Sequence, residues 1–162
     1  MKKTEVIKSK IFDRDELERN LAFWRFKNCK IVFTNGCFDV LHRGHVEYLA
    51  QARDKGDVLI VGLNTDTSVR RLKGDNRPIN PQEARAMVLA ALFFVDAVVL
   101  FDEDTPYELI KTIQPDVLIK GADYKPENIV GYDIVTAKGG TVETVNLVEG
   151  FSSTGIIEGL NL

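Results

Sequence analysis

The sequence predicts a doubly wound α/β domain, with a five-stranded parallel sheet covered by helices on both faces. Three observations carry that expectation. Short runs that are almost wholly apolar alternate with stretches of helical periodicity, the pattern of parallel strands buried on both sides. The chain has 162 residues and 44% hydrophobic composition without a break, enough for one core. Its chemistry-bearing residues also follow directly on the apolar runs, where such sheets bind ligands.

Residues 1–29 read as an N-terminal helical extension to a single compact unit, residues 30–162. The extension holds a helix over 13–27, with Asp13 as N-cap and Glu16 three residues later, as in a capping box. A buried strand follows over 30–35, then a helix over 44–55 with Val46, Leu49 and Ala50 to one side, then a second buried strand over 57–64. That is one β-α-β unit, with the usual right-handed crossover. A short helix is expected over 67–72 and a polar loop over 73–80, after which Pro81 opens a longer helix. In that helix Ala84, Met87, Val88, Ala91 and Leu92 follow i, i+3, i+4, i+7, i+8 spacing, so this stripe is expected to face the sheet. The third strand falls at 96–101, and Thr105-Pro106-Tyr107-Glu108 reads as a capping box with proline at the first helical position, leading to about residue 114. Residues 116–120 form the fourth strand, 132–138 a helix ended by Gly139-Gly140, and 141–147 the fifth strand. Ser152 starts the last helix.

Composition excludes several classes of partner. A formal charge of −3 argues against non-specific nucleic-acid binding, which needs a basic face. Locally the balance reverses, since Arg70, Arg71, Lys73 and Arg77 stand against Asp75: a site for a small phosphorylated ligand, or a solvated loop. Two cysteines, Cys29 and Cys37, are too few for a disulfide framework or a cysteine-rich zinc site, and the N-terminus has no apolar signal core. No apolar run reaches the ~18 residues of a membrane span; the longest, 87–101, contains Asp96. The expectation is a soluble, reduced, cytoplasmic protein with neither nucleic acid nor membrane as partner.

The only two histidines, His42 and His45, lie three apart at a predicted helix start, with Gly44 between them leaving the backbone open to a phosphate. Three readings fit: donors to an anion, rings packed to cap a helix, or a metal pair completed by Cys37 or Asp39. A second segment, Glu149-Gly150-Phe151-Ser152-Ser153-Thr154-Gly155, gathers hydroxyls and free amides at another helix start. Lys120 ends a buried strand, an uncommon place for a free ammonium, and Lys73 sits in the basic loop within reach of a phosphate or of solvent alone. Asp123 and Tyr124 frame a nucleoside or simply a turn. Asn64 and Asp66 close the second strand as candidates for sugar hydroxyls, Asp66 also as a helix cap. Arg85, on what reads as the polar side of its helix, is a candidate for an acceptor phosphate or a carboxylate across a subunit interface.

Gly36-Cys37-Phe38-Asp39-Val40-Leu41-His42-Arg43-Gly44-His45 resembles the G-x-F-D-x-x-H-x-G-H signature of the cytidylyltransferase-like nucleotidyltransferase superfamily. The Glu149 to Thr154 segment resembles the E-G-x-S-S-T segment of the same family. The resemblance implies a Rossmann-like sheet, transfer of a nucleotidyl group to a phosphorylated small molecule, Mg²⁺ bound with the nucleotide rather than by dedicated protein ligands, and a homodimer. It implies catalytic roles for His42, His45 and Lys73. Nucleotide contacts would come from Asn35, Gly36, Cys37, Phe38 and Gly44, from Lys120, Gly121, Asp123 and Tyr124, and from Glu149, Ser152, Ser153 and Thr154. Asn64, Asp66, Arg77 and Arg85 would hold the sugar phosphate.

Branches of the family acting on glycerol 3-phosphate usually carry arginine two residues before the glutamate, where this chain has Leu147. Asn64-Thr65-Asp66, Leu72-Lys73-Gly74, Arg77-Pro78-Ile79 and Leu118 to Tyr124 instead resemble the branch of adenylyltransferases that use ATP and D-glycero-β-D-manno-heptose 1-phosphate to make ADP-heptose for lipopolysaccharide core precursors. In many bacteria a sugar kinase precedes this domain, and the chain reads as the stand-alone form. A cytidylyltransferase acting on glycerol 3-phosphate or a related alcohol phosphate, and a non-catalytic nucleotide-binding module, stand as alternatives.

Overall fold

In the computed structural model, which describes residues 1–160, the chain runs α1 (Lys3–Lys8), β1 (Ile11–Phe12), α2 (Arg14–Phe26), β2 (Ile31–Gly36), α3 (Arg43–Arg53), β3 (Val58–Asn64), α4 (Asp66–Lys73) and α5 (Gln82–Ala91). It continues through β4 (Ala97–Phe101), α6 (Tyr107–Ile113), β5 (Val117–Gly121), a 3₁₀ turn (Pro126–Asn128), α7 (Tyr132–Ala137), β6 (Thr141–Val145) and α8 (Ser153–Gly159). The last two positions of the expected domain, 161 and 162, lie outside the described residues.

Among the described residues the sheet has six parallel strands in the order β1-β4-β3-β2-β5-β6, one more than the sequence predicts. The extra strand is β1, only two residues long and too short to show a period. Its residues Ile11 and Phe12 pair with Val98 and Val99, so part of the N-terminal segment belongs to the sheet. From β2 the chain winds outward through β3 to β4, then returns past β2 to lay β5 and β6 on the other side. The winding therefore reverses between β2 and β5, which places a crevice at the carboxyl ends of those two strands.

Each face of the sheet carries its own core. Val32, Leu59, Val61, Leu63 and Val98 pack with Leu49 and Ala52 of α3 and with Ala86, Leu89 and Ala90 of α5. Ile31, Phe33, Val58 and Ile60 point to the opposite face, against Leu17 and Leu21 of α2, Leu109, Ile110 and Ile113 of α6, and Val135 of α7. Strand alternation makes this division, and each buried aliphatic side chain contributes about 1.5–3 kcal/mol.

The α2 capping box forms as expected: Glu16 N donates to Asp13 Oδ1 at 2.8 Å and Asp13 N to Glu16 Oε2 at 2.9 Å. Three local expectations are corrected. Helix α5 turns Arg85, Ala86, Leu89 and Ala90 inward, leaving Ala84, Val88 and Ala91 exposed, so the stripe expected to face the sheet does not. Pro106 occupies the N-cap of α6 without a side-chain cap bond, so the box expected from Thr105 and Glu108 is absent. Thr65, not Asp66, caps α4, accepting a hydrogen bond from Ser68 N.

Candidate active site

The site begins where β2 ends. Gly36 lacks a Cβ, and one placed there would lie 2.9 Å from the Phe38 ring, so glycine lets that ring fold back against the strand. Phe38 takes a left-handed backbone, φ 44°, a conformation that costs an aromatic residue on the order of 1–3 kcal/mol and recurs at functional sites. Its ring stands edge-on to His45 at 5.3 Å. The chain then enters α3 with His42 at the N-cap and His45 one turn on, and the two imidazoles stack with centroids 3.8 Å apart.

Hydrogen bonding orients this pair. The His42 amide donates to Nδ1 of His45 at 3.3 Å, so Nδ1 is an acceptor and the neutral ring carries its proton on Nε2. Burial, aided by the neighbouring His42 and Lys73, pushes the His45 pKa down to about 4; burial also lowers that of His42. Both rings are therefore neutral near pH 7, a state in which each imidazole keeps one N–H. Nδ1 of His42 is buried without a partner. Phe151 stacks on the outer side of His42 at 6.0 Å. Gly44 is required by the same crowding, since a Cβ would sit 2.9 Å from His42 Cε1 and 3.2 Å from Phe151 Cβ.

Two cavities meet here. The first, about 350 Å³, is walled by Asn35, Gly36, Cys37, Phe38, His42, Gly44 and His45 from the β2–α3 turn, by Lys120, Gly121 and Asp123 from the end of β5, and by Ser152, Ser153 and Thr154 at the start of α8. Lys73 at the end of α4 completes it. The second, about 400 Å³, shares Asn35, Gly36, Cys37, Lys73 and Lys120 and extends past Asn64, Leu72 and Tyr124 to Asp104, Thr105, Pro106, Asn128, Ile129 and Val130. Lys73 and Lys120 border both, and among the described residues neither forms an ion pair. Burial lowers the Lys120 pKa, partly offset by Cys37 and Asp123, and its ammonium lies 5.4 Å from the Tyr124 ring. Two unpaired ammonium groups on a shared wall form a strong anion attractor.

A family model described as cytidylyltransferase-like matches residues 33–159. The chain belongs to this cytidylyltransferase-like family. It is 55% identical over 150 residues to "Bifunctional protein HldE" of Syntrophotalea carbinolica, covering 93% of this chain and 31% of that protein. It is 63% identical over 129 residues to the protein of the same name in Campylobacter concisus, covering 80% of this chain and 26% of that one. The chain thus spans less than a third of the length of these curated relatives. A crystal structure described as a lipopolysaccharide core biosynthesis protein from Thermoplasma volcanium superposes with a TM-score of 0.60 at 29% identity, over 74% of this chain and 97% of that one. Pantoate-beta-alanine ligase from Francisella tularensis superposes with a TM-score of 0.59 over 90% of this chain and 74% of that one; at 17% identity it shows the fold alone.

Not every residue expected at the site of this cytidylyltransferase-like domain reaches it. Arg85 is 2% exposed rather than on a polar face. Its guanidinium donates to the carbonyls of Asn80, Cys37 and Asn64 and to Asp66 Oδ1, each within 2.7–2.9 Å, so four of its five N–H groups are spent inside the protein and the side chain is fully buried away from both cavities. Asp66 is its ion-pair partner and lines neither cavity. Arg77 is likewise diverted: its Nε donates to Asp39 Oδ2 at 2.9 Å. Asp39 also accepts from the Ile79 and Asn80 amides, latching the 77–80 loop to the histidine turn. Burial alone would raise the Asp39 pKa, but those two amides and Arg77 outweigh it and hold the carboxyl below its ordinary value. With both oxygens spent, Asp39 is no ligand for Mg²⁺, and among the described residues no group of three or more His, Cys, Asp or Glu is placed to hold a metal.

Glu149 is exposed and lines neither cavity, and Tyr124, expected beside the nucleoside, lines the second cavity instead. Of the residues expected to hold the acceptor, Asn64 alone borders that cavity. The Ser153 hydroxyl points to the Val40 carbonyl, so its single proton is committed within the protein. Tyr48, Val148 and Phe151 line the first cavity without having been assigned a role, and Leu147, read in the sequence only as a departure from the glycerol 3-phosphate branch, lines it as well. Phe151 had a signal in its place between Gly150 and Ser152; Tyr48 had none, because its ring reads simply as core.

Proposed function

We propose that this domain transfers an adenylyl group from ATP to D-glycero-β-D-manno-heptose 1-phosphate, releasing pyrophosphate and giving ADP-heptose for lipopolysaccharide core precursors. One observation carries the reaction type: two cavities meet at a wall of Asn35, Gly36, Cys37, Lys73 and Lys120, with the neutral histidine pair on one side. That is the geometry for two phosphates brought together. ATP, as its magnesium complex, occupies the histidine side, and the acceptor occupies the other.

An oxygen of the acceptor phosphate attacks the α-phosphorus, the new P–O bond forms, and the bond to the β-phosphate bridging oxygen breaks with its electron pair leaving on pyrophosphate. No general base is needed, because the attacking phosphate is already an anion. Catalysis is alignment plus stabilisation of charge. His45 Nε2–H and His42 donate to the phosphates as neutral imidazoles, and Lys73 and Lys120 offset the negative charge gathered at the shared wall. The metal travels with the triphosphate, and the protein's share of the work is done by these four side chains.

The choice of acceptor is supported by the segments around Leu147 and by the Thermoplasma neighbour described as a lipopolysaccharide core biosynthesis protein. A homodimer acting in the cytoplasm belongs to the same proposal and rests on family resemblance. Among the described residues no helix is long and apolar enough to cross a membrane. Pyrophosphate release tests the function, measured with ATP and CTP against heptose 1-phosphate, other sugar 1-phosphates and glycerol 3-phosphate. ATP with the heptose should turn over fastest. CTP with glycerol 3-phosphate fastest would overturn the substrate assignment, and no release across the panel would overturn the reaction as well.

A further inference from the structure

The cations of the second cavity all lie on the wall it shares with the first. Beyond that shared wall its lining holds no basic side chain, only the carboxylate of Asp104, the amides of Asn64 and Asn128 and the hydroxyls of Thr105 and Tyr124, set among apolar groups. A ligand that fits this distribution carries one anionic end at the lysines and an uncharged, hydroxyl-bearing body beyond them. Apolar and aromatic faces interleaved with amides and a carboxylate suit a sugar, whose C–H faces and hydroxyls alternate.

Asp104 is prepared for hydroxyls rather than for an amine. Arg71 donates to its Oδ1 at 3.0 Å, so its charge is already matched, and an incoming ammonium would gain little. Arg71 also donates to the Asp102 carbonyl, which holds the β4–α6 loop in place before any ligand arrives. Asn64 donates its amide to Ser68 Oγ at 3.0 Å, leaving its side-chain oxygen to accept. Asn128 ends the 3₁₀ turn after β5, and its amide can both donate and accept.

Resting on the nucleotidyl transfer proposed above, we infer that Asp104 and Asn128 select the acceptor: they read the hydroxyls of an uncharged polyol body whose single phosphate is held at Lys73 and Lys120. They are specificity residues, remote from the transferring phosphorus, and neither borders the nucleotide cavity.

The test is steady-state kinetics of Asn128→Ala and Asp104→Asn with ATP and heptose 1-phosphate, beside calorimetric titration of the sugar phosphate into each protein. Loss of one hydroxyl contact should raise the acceptor KM and Kd about tenfold, with the ATP KM held within about twofold and kcat little changed. Glycerol 3-phosphate, which lacks the distal hydroxyls, should bind wild type and variants alike. Unchanged acceptor KM and Kd in both variants, with wild type turning over normally, would overturn the inference and leave the function standing. An equal rise in ATP KM would overturn it too, by placing these residues on the nucleotide side. If wild type turned over no sugar phosphate the function would fall, yet weaker sugar-phosphate binding by the variants would still support the pocket, and equal binding would reject it.

Discussion

The hydroxyl of Ser153 donates to the carbonyl of Val40 at 2.9 Å, joining two residues 113 positions apart. The bond fastens the start of α8 to the histidine turn and so keeps Phe151 stacked on His42. Ser153→Ala should therefore raise the ATP KM several-fold while costing only about 1 kcal/mol of stability, and Ser153→Thr should recover most of the affinity. Kinetics and thermal unfolding of the two variants decide it. No rescue by threonine would mean that the tether does not matter.

The neutral state of the histidine pair has a kinetic consequence. His42→Ala or His45→Ala should lower kcat by on the order of 10²–10³, the effect of removing one preorganised donor. His45→Gln should keep a measurable part of that rate, because its amide replaces an uncharged Nε2–H. If glutamine proved no better than alanine, a charged imidazolium would be required instead.

The same burial gives a pH dependence of stability. His45 titrates near 6.5 when unfolded and at about 4 when folded, so below pH 6.5 the unfolded chain binds the extra proton. Its contribution is complete above pH 6.5 and is lost as pH falls toward 4. Melting temperature should decline through that window, and His45→Gln should flatten the decline. Asp39 adds a separate loss at lower pH, since its folded pKa lies below the ordinary 3.8 and its stabilisation fades only as pH falls through that range.

Gly44→Ala separates fold from chemistry. Alanine at this helical position favours α3 by up to about 1 kcal/mol in propensity, while its methyl meets the His42 ring and Phe151. The expected result is a melting temperature within a few degrees of wild type and turnover reduced at least tenfold. Full activity would show that the His42 ring has room to move.

Arg85→Met should behave as a stability variant. Three carbonyls and Asp66 lose their partner, at a cost of about 3–5 kcal/mol. For a chain of this size that lowers the melting temperature by roughly 6–20 °C. A variant with unchanged melting but a raised acceptor KM would restore Arg85 to the substrate.

Much of the architecture is legible in the sequence because buried parallel strands are nearly continuous apolar runs, and β2 to β5 are marked that way, whereas the edge strand β6 mixes Thr, Val and Glu and is fully buried only at Val145. Helix α5 shows where periodicity fails. Alanines on both of its sides, with Val88 and Met87 on one and Leu89 on the other, give two stripes of similar strength, and the buried guanidinium of Arg85 hides the true one. The histidine turn is legible because glycines and histidines at fixed spacing are scarce. The second cavity is not, because Thr105-Pro106 and Pro126 to Asn128 look like ordinary helix starts and turns, and only the return of β5 beside β2 brings them to one place.

Strand β1 is small, but it lies along the edge of β4, whose sequence Ala97-Val98-Val99-Leu100-Phe101 carries no charge. The Val98 amide donates to the Lys10 carbonyl at 2.8 Å, so this edge is occupied within the molecule. Uncovered, a short, uncharged, β-branched strand with open amides is a template for pairing with other chains. The N-terminal segment thus moves the sheet's end outward from β4 to β1, a strand of two residues that offers far less length for another chain to pair with.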